Sequence, residues 1–229
     1  MNEHPMPRLN HPKPVRRIGI SSRSMRGTVC IRGRQLPFES GLERDFLLIL
    51  DADRNVRDVH GQPVCIHYED DEGRSRHYTP DFLVEYDSGR RPRVLYEVKY
   101  HADLREQWAA LRQSFLAARR HARRDRMRFS VVTERDIRGP FLDNWRFLRA
   151  YEGLDPEPDV EDHLSLTLAV LGASTPAALL EAAYSDREAR IGAISSMWRL
   201  LAMGRIHCEM HAPLTMASPI WVNLGEGTP

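Results

Sequence analysis

Two short apolar segments, each with one acidic residue, restrict most strongly how this chain can fold. Asp81 opens the run Phe82–Val84, and Glu97 lies inside the run Val94–Tyr100. Both runs have the length and composition of neighbouring β-strands. Because side chains alternate between the two faces of a strand, Glu97 and Lys99 project to the same side while the residue between them points into the core. Two carboxylates and an ammonium group are therefore expected to converge on one sheet.

This set of groups matches the requirements of metal-dependent phosphodiester hydrolysis. A hard divalent cation such as Mg²⁺, for which Mn²⁺ can substitute, prefers oxygen ligands and keeps several waters, so Asp81 and Glu97 are predicted to bind it. Lys99 is predicted to orient or help deprotonate the attacking water and to offset the charge that builds on the phosphate. The alternative is a surface ion pair between Glu97 and Lys99, which would contribute little.

A third carboxylate is predicted to come from a helix over residues 40–50. The apolar residues of this segment follow the helical period and face a core; they are Leu42, Phe46, Ile49 and Leu50. Glu43 lies at the edge of that face and is the third predicted metal ligand. Glu39 lies one turn earlier and competes for the same role. The alternative for Glu43 is a solvated helix residue with no chemical role.

Several stretches of the chain resemble one group of proteins. Pro80-Asp81 followed by Glu97-Val98-Lys99 resembles the PD-(D/E)xK nuclease superfamily. Further stretches resemble its TnsA branch, the endonuclease subunit of heteromeric cut-and-paste transposons. These stretches are Ser22–Gly27, Phe38–Phe46, Gln62–Val64, Tyr78–Val84, Gly204–Ile206 and Ala212–Thr215. The resemblance spans nearly the whole chain.

The resemblance implies a restriction-endonuclease-like, mixed-sheet core and a metal-dependent DNA endonuclease that cuts at transposon ends, at the 5′ ends. The catalytic residues of the family fall on Glu43, Asp81 and Lys99. Some TnsA-type proteins have glutamine two positions before the lysine, where this chain has Glu97, the commoner form in the superfamily. The resemblance also places Gln62 close to the catalytic strands. There it would either hydrogen-bond a phosphate or a ligand carboxylate, together with Glu39 behind the metal ligands, or simply close a turn.

Positive charge is unevenly distributed along the chain, although the formal net charge is only +1. Residues 1–37 are predicted to form a basic, partly irregular arm in which Arg23 and Arg26 contact DNA. A second group of arginines gathers at the end of a helix predicted over residues 103–127; these are Arg119, Arg120, Arg123 and Arg124. They are predicted either to bind DNA phosphates without sequence preference or to complement the helix dipole and aid solubility.

The chain is predicted to be an α/β protein with a small helical domain at its C-terminal end. A strand over residues 127–134 and a helix over 140–152 complete an endonuclease domain at 38–152, and two prolines among acidic residues indicate a linker at 153–159. Residues 160–229 suggest three helices and a hairpin, a winged-helix-like arrangement. The resemblance implies that this domain docks an AAA+ ATPase regulator and that the endonuclease domain works beside a DDE-type transposase on double-stranded DNA.

Composition sets wider limits on the protein. A chain of 229 residues, 41% hydrophobic and 28% charged, is typical of a globular protein with a substantial core. Its three isolated cysteines argue against a disulfide framework. We find no segment with the pattern of a membrane span or a signal peptide, so a cytoplasmic location without membrane association is expected. The absence of a glycine-rich phosphate loop argues against ATP hydrolysis.

Two other functions are compatible with the sequence. In one, the chain is a catalytically silent subunit that binds DNA or bridges the transposase and its ATPase regulator. In the other, it is a restriction or repair nuclease of the same superfamily. The presence of Asp81, Glu97 and Lys99 together argues against the first, because a scaffold has no reason to hold all three. The Ser-Arg-Ser and Pro-Leu-Thr stretches favour the transposon branch over the second.

Overall fold

The computed structural model describes residues 25–87 and 91–222. These residues divide into two compact units between Ile137 and Arg138. The sequence had instead placed the end of the first domain at residue 152. Within the described residues, no helix is both long enough and apolar enough to cross a bilayer.

The N-terminal unit begins with a β-hairpin. Its strands, β1 (Gly27–Ile31) and β2 (Arg34–Phe38), are antiparallel. Both turn residues have positive φ, 49° at Arg32 and 76° at Gly33, as tight hairpin turns of this length require. The predicted irregular arm at residues 1–37 is therefore ordered as a hairpin from Gly27 onwards. The earlier part of that arm, which contains Arg23, lies outside the described residues.

Helix α1 (Gly41–Ala52) confirms the helix predicted over residues 40–50. Ser40 caps its first turn, because the Ser40 hydroxyl accepts a hydrogen bond from the main-chain N–H of Glu43 at 3.1 Å. Leu42 and Phe46 are buried on the face that the helical period indicated. This face fixes the rotation of the helix about its axis and leaves Glu43 beside it, only partly buried.

A mixed sheet forms the centre of the N-terminal unit and confirms the α/β prediction. Its strands are β3 (Val56–Gly61), β6 (Phe82–Tyr86), β7 (Val94–Val98) and β8 (Arg128–Val132). They are arranged in the order β3-β6-β7-β8. The first two pairings are antiparallel, and β7 pairs with β8 in parallel. A parallel pair needs a crossover connection, which helices supply here.

The crossover consists of α2 (His101–Glu106) and α3 (Trp108–Arg124), where the sequence predicted one continuous helix. Gln107 separates them, with φ −96° and ψ 8°. A second hairpin consists of β4 (Ile66–Glu69) and β5 (Ser75–Tyr78). It packs on α3 through Ile66, which forms a buried cluster with Ala117 and Ala118. A short helix, α4 (Glu134–Ile137), ends the unit.

The C-terminal unit is mainly helical. Its helices are α5 (Pro140–Glu152), α6 (Pro158–Leu171), α7 (Pro176–Ala183), α8 (Arg187–Gly192) and α9 (Ile194–Ala202). Its strands, which form a small sheet, are β9 (Ala173–Ser174), β10 (His207–Cys208) and β11 (Ile220–Trp221). Strand β11 lies in the middle and pairs antiparallel with both neighbours, so the predicted hairpin is extended by β9.

Three sequence-based boundaries differ in this unit. Helix α5 packs on α9, with the rings of Phe147 and Trp198 5.0 Å apart, so it belongs with the C-terminal helices and not with the endonuclease domain 38–152. Helix α6 begins at Pro158, inside the predicted linker 153–159. The last of the three helices predicted within residues 160–229 is divided at Ala193 into α8 and α9. The winged-helix-like assignment stays a prediction.

A buried carboxylate holds the C-terminal unit together. Glu161 on α6 is only 2% exposed. Its two oxygens accept from Arg199 at 2.5 Å and from Arg205 at 2.9 Å, so one acid joins α6 to α9 and to the segment after α9. A buried charge is tolerated when its partners compensate for lost hydration, and removing one partner leaves the others uncompensated.

Replacing Glu161 with alanine should lower the free energy of unfolding by about 3 kcal/mol, because Arg199, whose side chain is only 13% exposed, loses its counterion. Urea denaturation followed by tryptophan fluorescence would measure this loss. Asp162→Ala is the matched control, since Asp162 binds the same Arg205 but its side chain is 66% exposed. The control should lose less than about 1 kcal/mol. Equal losses in the two variants would contradict the central role of Glu161.

Candidate active site

The carboxylates singled out from the sequence converge where the ends of β6 and β7 meet the first turn of α1. Asp81 immediately precedes β6, whose first residue pairs with Tyr96 of β7. Glu97 therefore lies beside Asp81 on the neighbouring strand. Lys99 follows the last residue of β7, and its Nζ is 3.6 Å from Oε1 of Glu97. The predicted convergence of acid, acid and lysine is present in the structure.

Asp81 is fixed by main-chain contacts on both sides. Its Oδ2 accepts a hydrogen bond from the N–H of Val98 at 2.7 Å, and its carbonyl oxygen accepts from the N–H of Gln62 at 2.7 Å. Burial raises the pKa of Asp81 well above its ordinary value, and the charges of Glu97 and Glu43 raise it further. The Val98 N–H and Lys99 act in the opposite direction. Loss of hydration is thus the main cause of the raised pKa of Asp81, and repulsion from the other two acids adds to it.

Glu97 is the most completely paired of the three acids. It is 5% exposed, and its Oε2 accepts a hydrogen bond from the Tyr78 hydroxyl at 2.6 Å, while Oε1 faces Lys99. Burial raises the pKa of Glu97; the Tyr78 hydrogen bond and the Lys99 ammonium limit the rise. The carboxylate is therefore held in one orientation by a neutral donor on one oxygen and a cation on the other.

Glu43 is the third acid of the cluster, as predicted. Its Oε2 accepts from the main-chain N–H of Glu39 at 2.8 Å, which closes the first turn of α1. Burial raises the pKa of Glu43, and the hydrogen bond from Glu39 opposes that rise. The negative charge of Glu43 raises the pKa of both Asp81 and Glu97, and Glu43 lines the same small cavity as Asp81.

Glu39 and Gln62, the two residues predicted to lie behind the ligands, bind each other. Nε2 of Gln62 donates to Oε1 of Glu39 at 3.1 Å. Oε1 of Gln62 is buried, and no described residue hydrogen-bonds to it. Gln62 also has a left-handed φ of 47°, an uncommon conformation for a residue other than glycine. Gln62 does close a turn, and it also places an unsatisfied oxygen beside the acids.

A small cavity of about 20 Å³ lies at this point, which is enough room for one water-sized group. Four polar side chains face it, those of Glu39, Glu43, Gln62 and Asp81. Glu97 and Lys99 do not line it. The acid cluster therefore has two sides. We call the side with the cavity the inner side, and the ion pair of Glu97 with Lys99 lies on the other, outer side.

The donor chemistry of the cluster suits a hard divalent cation. All the candidate ligands are carboxylate oxygens; Glu43 and Asp81 each engage one oxygen with a main-chain N–H, and Glu97 engages one with Tyr78 and the other with Lys99. Burial raises the pKa of all three acids, and a cation bound between them would oppose that rise. Within residues 25–87 and 91–222, however, no three acidic, histidine or cysteine side chains stand close enough to form a ready metal site. Glu43, Asp81 and Glu97 would have to move closer together to share one ion.

Tyr78 is a site residue that the sequence analysis missed. Its ring is enclosed by Phe115 of α3 and Phe129 of β8, with centroids 6.0 and 6.4 Å away, and its hydroxyl reaches Glu97. Tyr78 lies at the end of β5, next to the Thr-Pro-Asp stretch. The one available signal was its position three residues before Asp81, and only the pairing of β4 with β5 brings its hydroxyl to the acid.

The predicted DNA-contacting arginines take three different positions. Arg26 is half-buried immediately before β1. The four arginines near the end of α3 are exposed, and three of them line two separate grooves. Arg119 lines a groove that β8 shares with α3, whereas Arg120 and Arg124 line a groove beside β4. None of the four lines the cavity at the carboxylates. DNA binding by these residues stays a prediction.

Comparison with known proteins identifies the class of this fold and site. Residues 53–134 match the family described as TnsA-like endonuclease N terminal. The match covers β3 to the start of α4 and includes Asp81, Glu97 and Lys99, so this segment of the N-terminal unit is similar to a TnsA-like endonuclease domain. The resemblance to TnsA-type endonucleases is thereby confirmed for this segment. No curated protein matches the chain.

Asp81→Asn should stabilise the metal-free protein at neutral pH. A raised carboxyl pKa in the folded state favours folding below the unfolded value of about 4, and this contribution is lost as pH rises through the folded-state pKa. Asparagine keeps an acceptor for the Val98 N–H and removes the charge. The melting temperature in EDTA, measured from pH 5 to 8, should therefore fall more steeply for the parent than for the variant. A difference between the two proteins that does not grow with pH would contradict this account.

Proposed function

We propose that this chain is a Mg²⁺-dependent DNA endonuclease subunit of a heteromeric cut-and-paste transposase, cutting at the 5′ ends of the transposon. The proposal rests on one observation, the convergence of Asp81, Glu97 and Lys99 within a segment that matches a TnsA-like endonuclease domain. A scissile phosphate is the substrate that such a combination of oxygen ligands and a cation fits.

Glu43, Asp81 and Glu97 would hold the metal ion through their oxygens. When bound, the ion would polarise the phosphodiester and make its own water a better nucleophile at neutral pH. A cation at this place would oppose the effect of burial, which raises the pKa of all three acids, and would offset the charges of Glu97 and Glu43 that raise the pKa of Asp81 further. Attraction between the bound cation and the three carboxylates would thus favour both binding of the ion and the approach of the carboxylates to one another.

The protein groups have separate tasks in this mechanism. Lys99 stands on the outer side of Glu97, where its ammonium group can orient a water and offset negative charge on the phosphate. Tyr78 keeps Glu97 in place by donating to Oε2, so that Oε1 remains directed to the reaction side. The main-chain N–H of Val98 does the same for Asp81. Gln62 supports the inner side through Glu39.

A partner-dependent nuclease is favoured over one that cuts alone. The carboxylates are near one another but are not drawn together as ligands in the described residues. This arrangement also keeps the second candidate function open, a catalytically silent subunit that bridges the transposase and its regulator. The intact acid and lysine set favours the enzyme.

The C-terminal unit would supply the docking surface for the ATPase regulator, whether or not its fold is winged-helix-like. Leu166 and Val170, one turn apart on α6, are 68% and 88% exposed. Exposed apolar residues at this spacing form a patch of the kind that binds another protein. The transposase would bind beside the endonuclease domain on double-stranded transposon ends.

Cleavage of a plasmid that carries cognate transposon ends tests the proposal. The chain is combined with its transposase and ATPase partners in Mg²⁺ or in EDTA. The parent should cut near the ends only with metal, and Asp81→Ala and Lys99→Ala should each slow cutting by roughly a thousandfold. Glu85→Ala, an acid at the other end of β6 that pairs with Arg57, is the matched control and should cut normally. End cleavage unaffected by either active-site variant would assign the nuclease to a partner and make this chain the bridging subunit.

Tyr78→Phe should weaken Mg²⁺ binding roughly tenfold, because Glu97 loses the donor that orients it. Calorimetric titration with Mg²⁺ measures this directly, without cleavage. Tyr86→Phe is the matched control: its hydroxyl lies 3.1 Å from that of Tyr96 and contacts none of the three acids. Equal Mg²⁺ affinity in Tyr78→Phe and the parent would contradict the orienting role.

A further inference from the structure

A groove runs between α3 and the outer edge of β8. Its volume is about 410 Å³. The helix contributes a row of side chains to one wall and β8 forms the other. The residues used below are Trp108, Arg112, Leu116 and Arg119 of the helix and Phe129 and Val131 of the strand. Neither the three acids nor Lys99 lines this groove, so it is separate from the candidate active site.

The strand wall is a free sheet edge. In the order β3-β6-β7-β8, β8 is last, and no described strand pairs with its outer side. The N–H of Arg128 donates to the carbonyl of Arg93, and the carbonyl of Val132 accepts from the N–H of Lys99. Because successive residues of a strand direct their polar groups to opposite sides, Phe129 and Val131 direct theirs away from β7. They therefore offer unused main-chain donors and acceptors to the groove.

The helix wall carries exposed apolar surface. Trp108 is 51% exposed and Leu116 is 38% exposed, although both belong to the helix that covers the sheet. Beneath them, the rings of Phe115 and Phe129 are 5.5 Å apart and close the bottom of the groove. Large apolar side chains left open beside a free strand edge are a surface that another chain can cover.

The charge of the groove is positive. Arg112 and Arg119 are two helical turns apart on α3 and are exposed. Neither has an ion pair or hydrogen bond with any described residue, in contrast to Arg124, which binds Asp125 and His121. The groove therefore presents two unpaired guanidinium groups on either side of an apolar stretch.

We propose that this groove binds an extended, acidic and apolar segment of a partner protein, which adds to the sheet as a further strand beside β8. The segment would pair its main chain with Phe129 and Val131, place apolar side chains against Trp108 and Leu116, and place carboxylates on the two arginines. A peptide fits better than single-stranded nucleic acid, because a strand edge matches the regular N–H and C=O spacing of another polypeptide. This surface goes beyond the nuclease function and does not depend on it.

The probe is a peptide selected on the full-length chain. A phage-displayed library of random peptides is panned against the protein, and the most enriched sequence is synthesised with a fluorescent label. We expect enriched sequences in which acidic and apolar residues alternate. Binding is then measured by fluorescence anisotropy, with a single-stranded oligodeoxynucleotide as competitor.

Two variants test the two walls of the groove. Arg112→Glu with Arg119→Glu should weaken peptide binding roughly tenfold or more. Val131→Pro removes an N–H that points away from β7 and none of those that pair with β7, and it should weaken binding by a similar factor. Arg123→Glu is the matched control, an exposed arginine of the same helix that lines neither groove wall, and it should bind as the parent does. Melting temperatures establish that each variant is folded.

Amide hydrogen exchange gives an independent readout. The N–H groups of Phe129 and Val131 should gain protection when the peptide binds, whereas that of Ser130, which points towards β7, should be protected already. Three results would overturn the proposal: no enrichment of acidic and apolar sequences, binding that is insensitive to both variants, or displacement of the peptide by the oligonucleotide with the same sensitivity to the arginine variant. The last result would make the groove a nucleic-acid site.

Discussion

The withdrawal of three neighbouring carboxylates from water is the constraint around which the acid site of the N-terminal unit is built, because it raises the pKa of each of them. Asp81 and Glu97 stand side by side because their strands are neighbours, and Glu43 adds a third charge from α1. Each acid survives burial because one of its oxygens has a donor: a main-chain N–H for Asp81 and Glu43, and the Tyr78 hydroxyl for Glu97. Placing these carboxylates together lowers the stability of the fold, but the proposed chemistry requires it. Such a conflict is common where a site is arranged for a ligand.

Residues around the acids hold them in place through hydrogen bonds. Ser40 fixes the start of α1 so that Glu43 points inwards, and the left-handed turn at Gln62 brings its N–H to the carbonyl of Asp81. Gln62 and Glu39 then close the inner side of the cluster. A backbone conformation that costs energy is kept here because it places two polar groups of one residue at the site.

The parts of the fold that local patterns determine could be predicted, and those that depend on distant partners could not. The alternation around Glu97 and Lys99 and the helical period from Leu42 to Leu50 are local, and they located the acids and the lysine correctly. Tyr78 was missed because its contact with Glu97 needs the β4–β5 hairpin. The sequence grouped helix α5 with the endonuclease domain, whereas its Phe147 packs on Trp198 of α9; this contact joins residues far apart in the chain, so no local pattern indicates it. The break at Gln107 left no composition signal, since its neighbours all favour a helix.

The hairpin that carries Tyr78 makes the order of the site depend on a part of the fold other than the central sheet. Strands β4 and β5 form a separate two-stranded sheet, and such a sheet has little independent stability in water. It is kept folded by contacts with α3, through Ile66 against Ala117 and Ala118. Opening of the hairpin would release the phenol from Glu97 while the central sheet stays intact. The orientation of Glu97 therefore depends on how firmly this hairpin packs on the crossover helix, although that helix carries none of the catalytic groups.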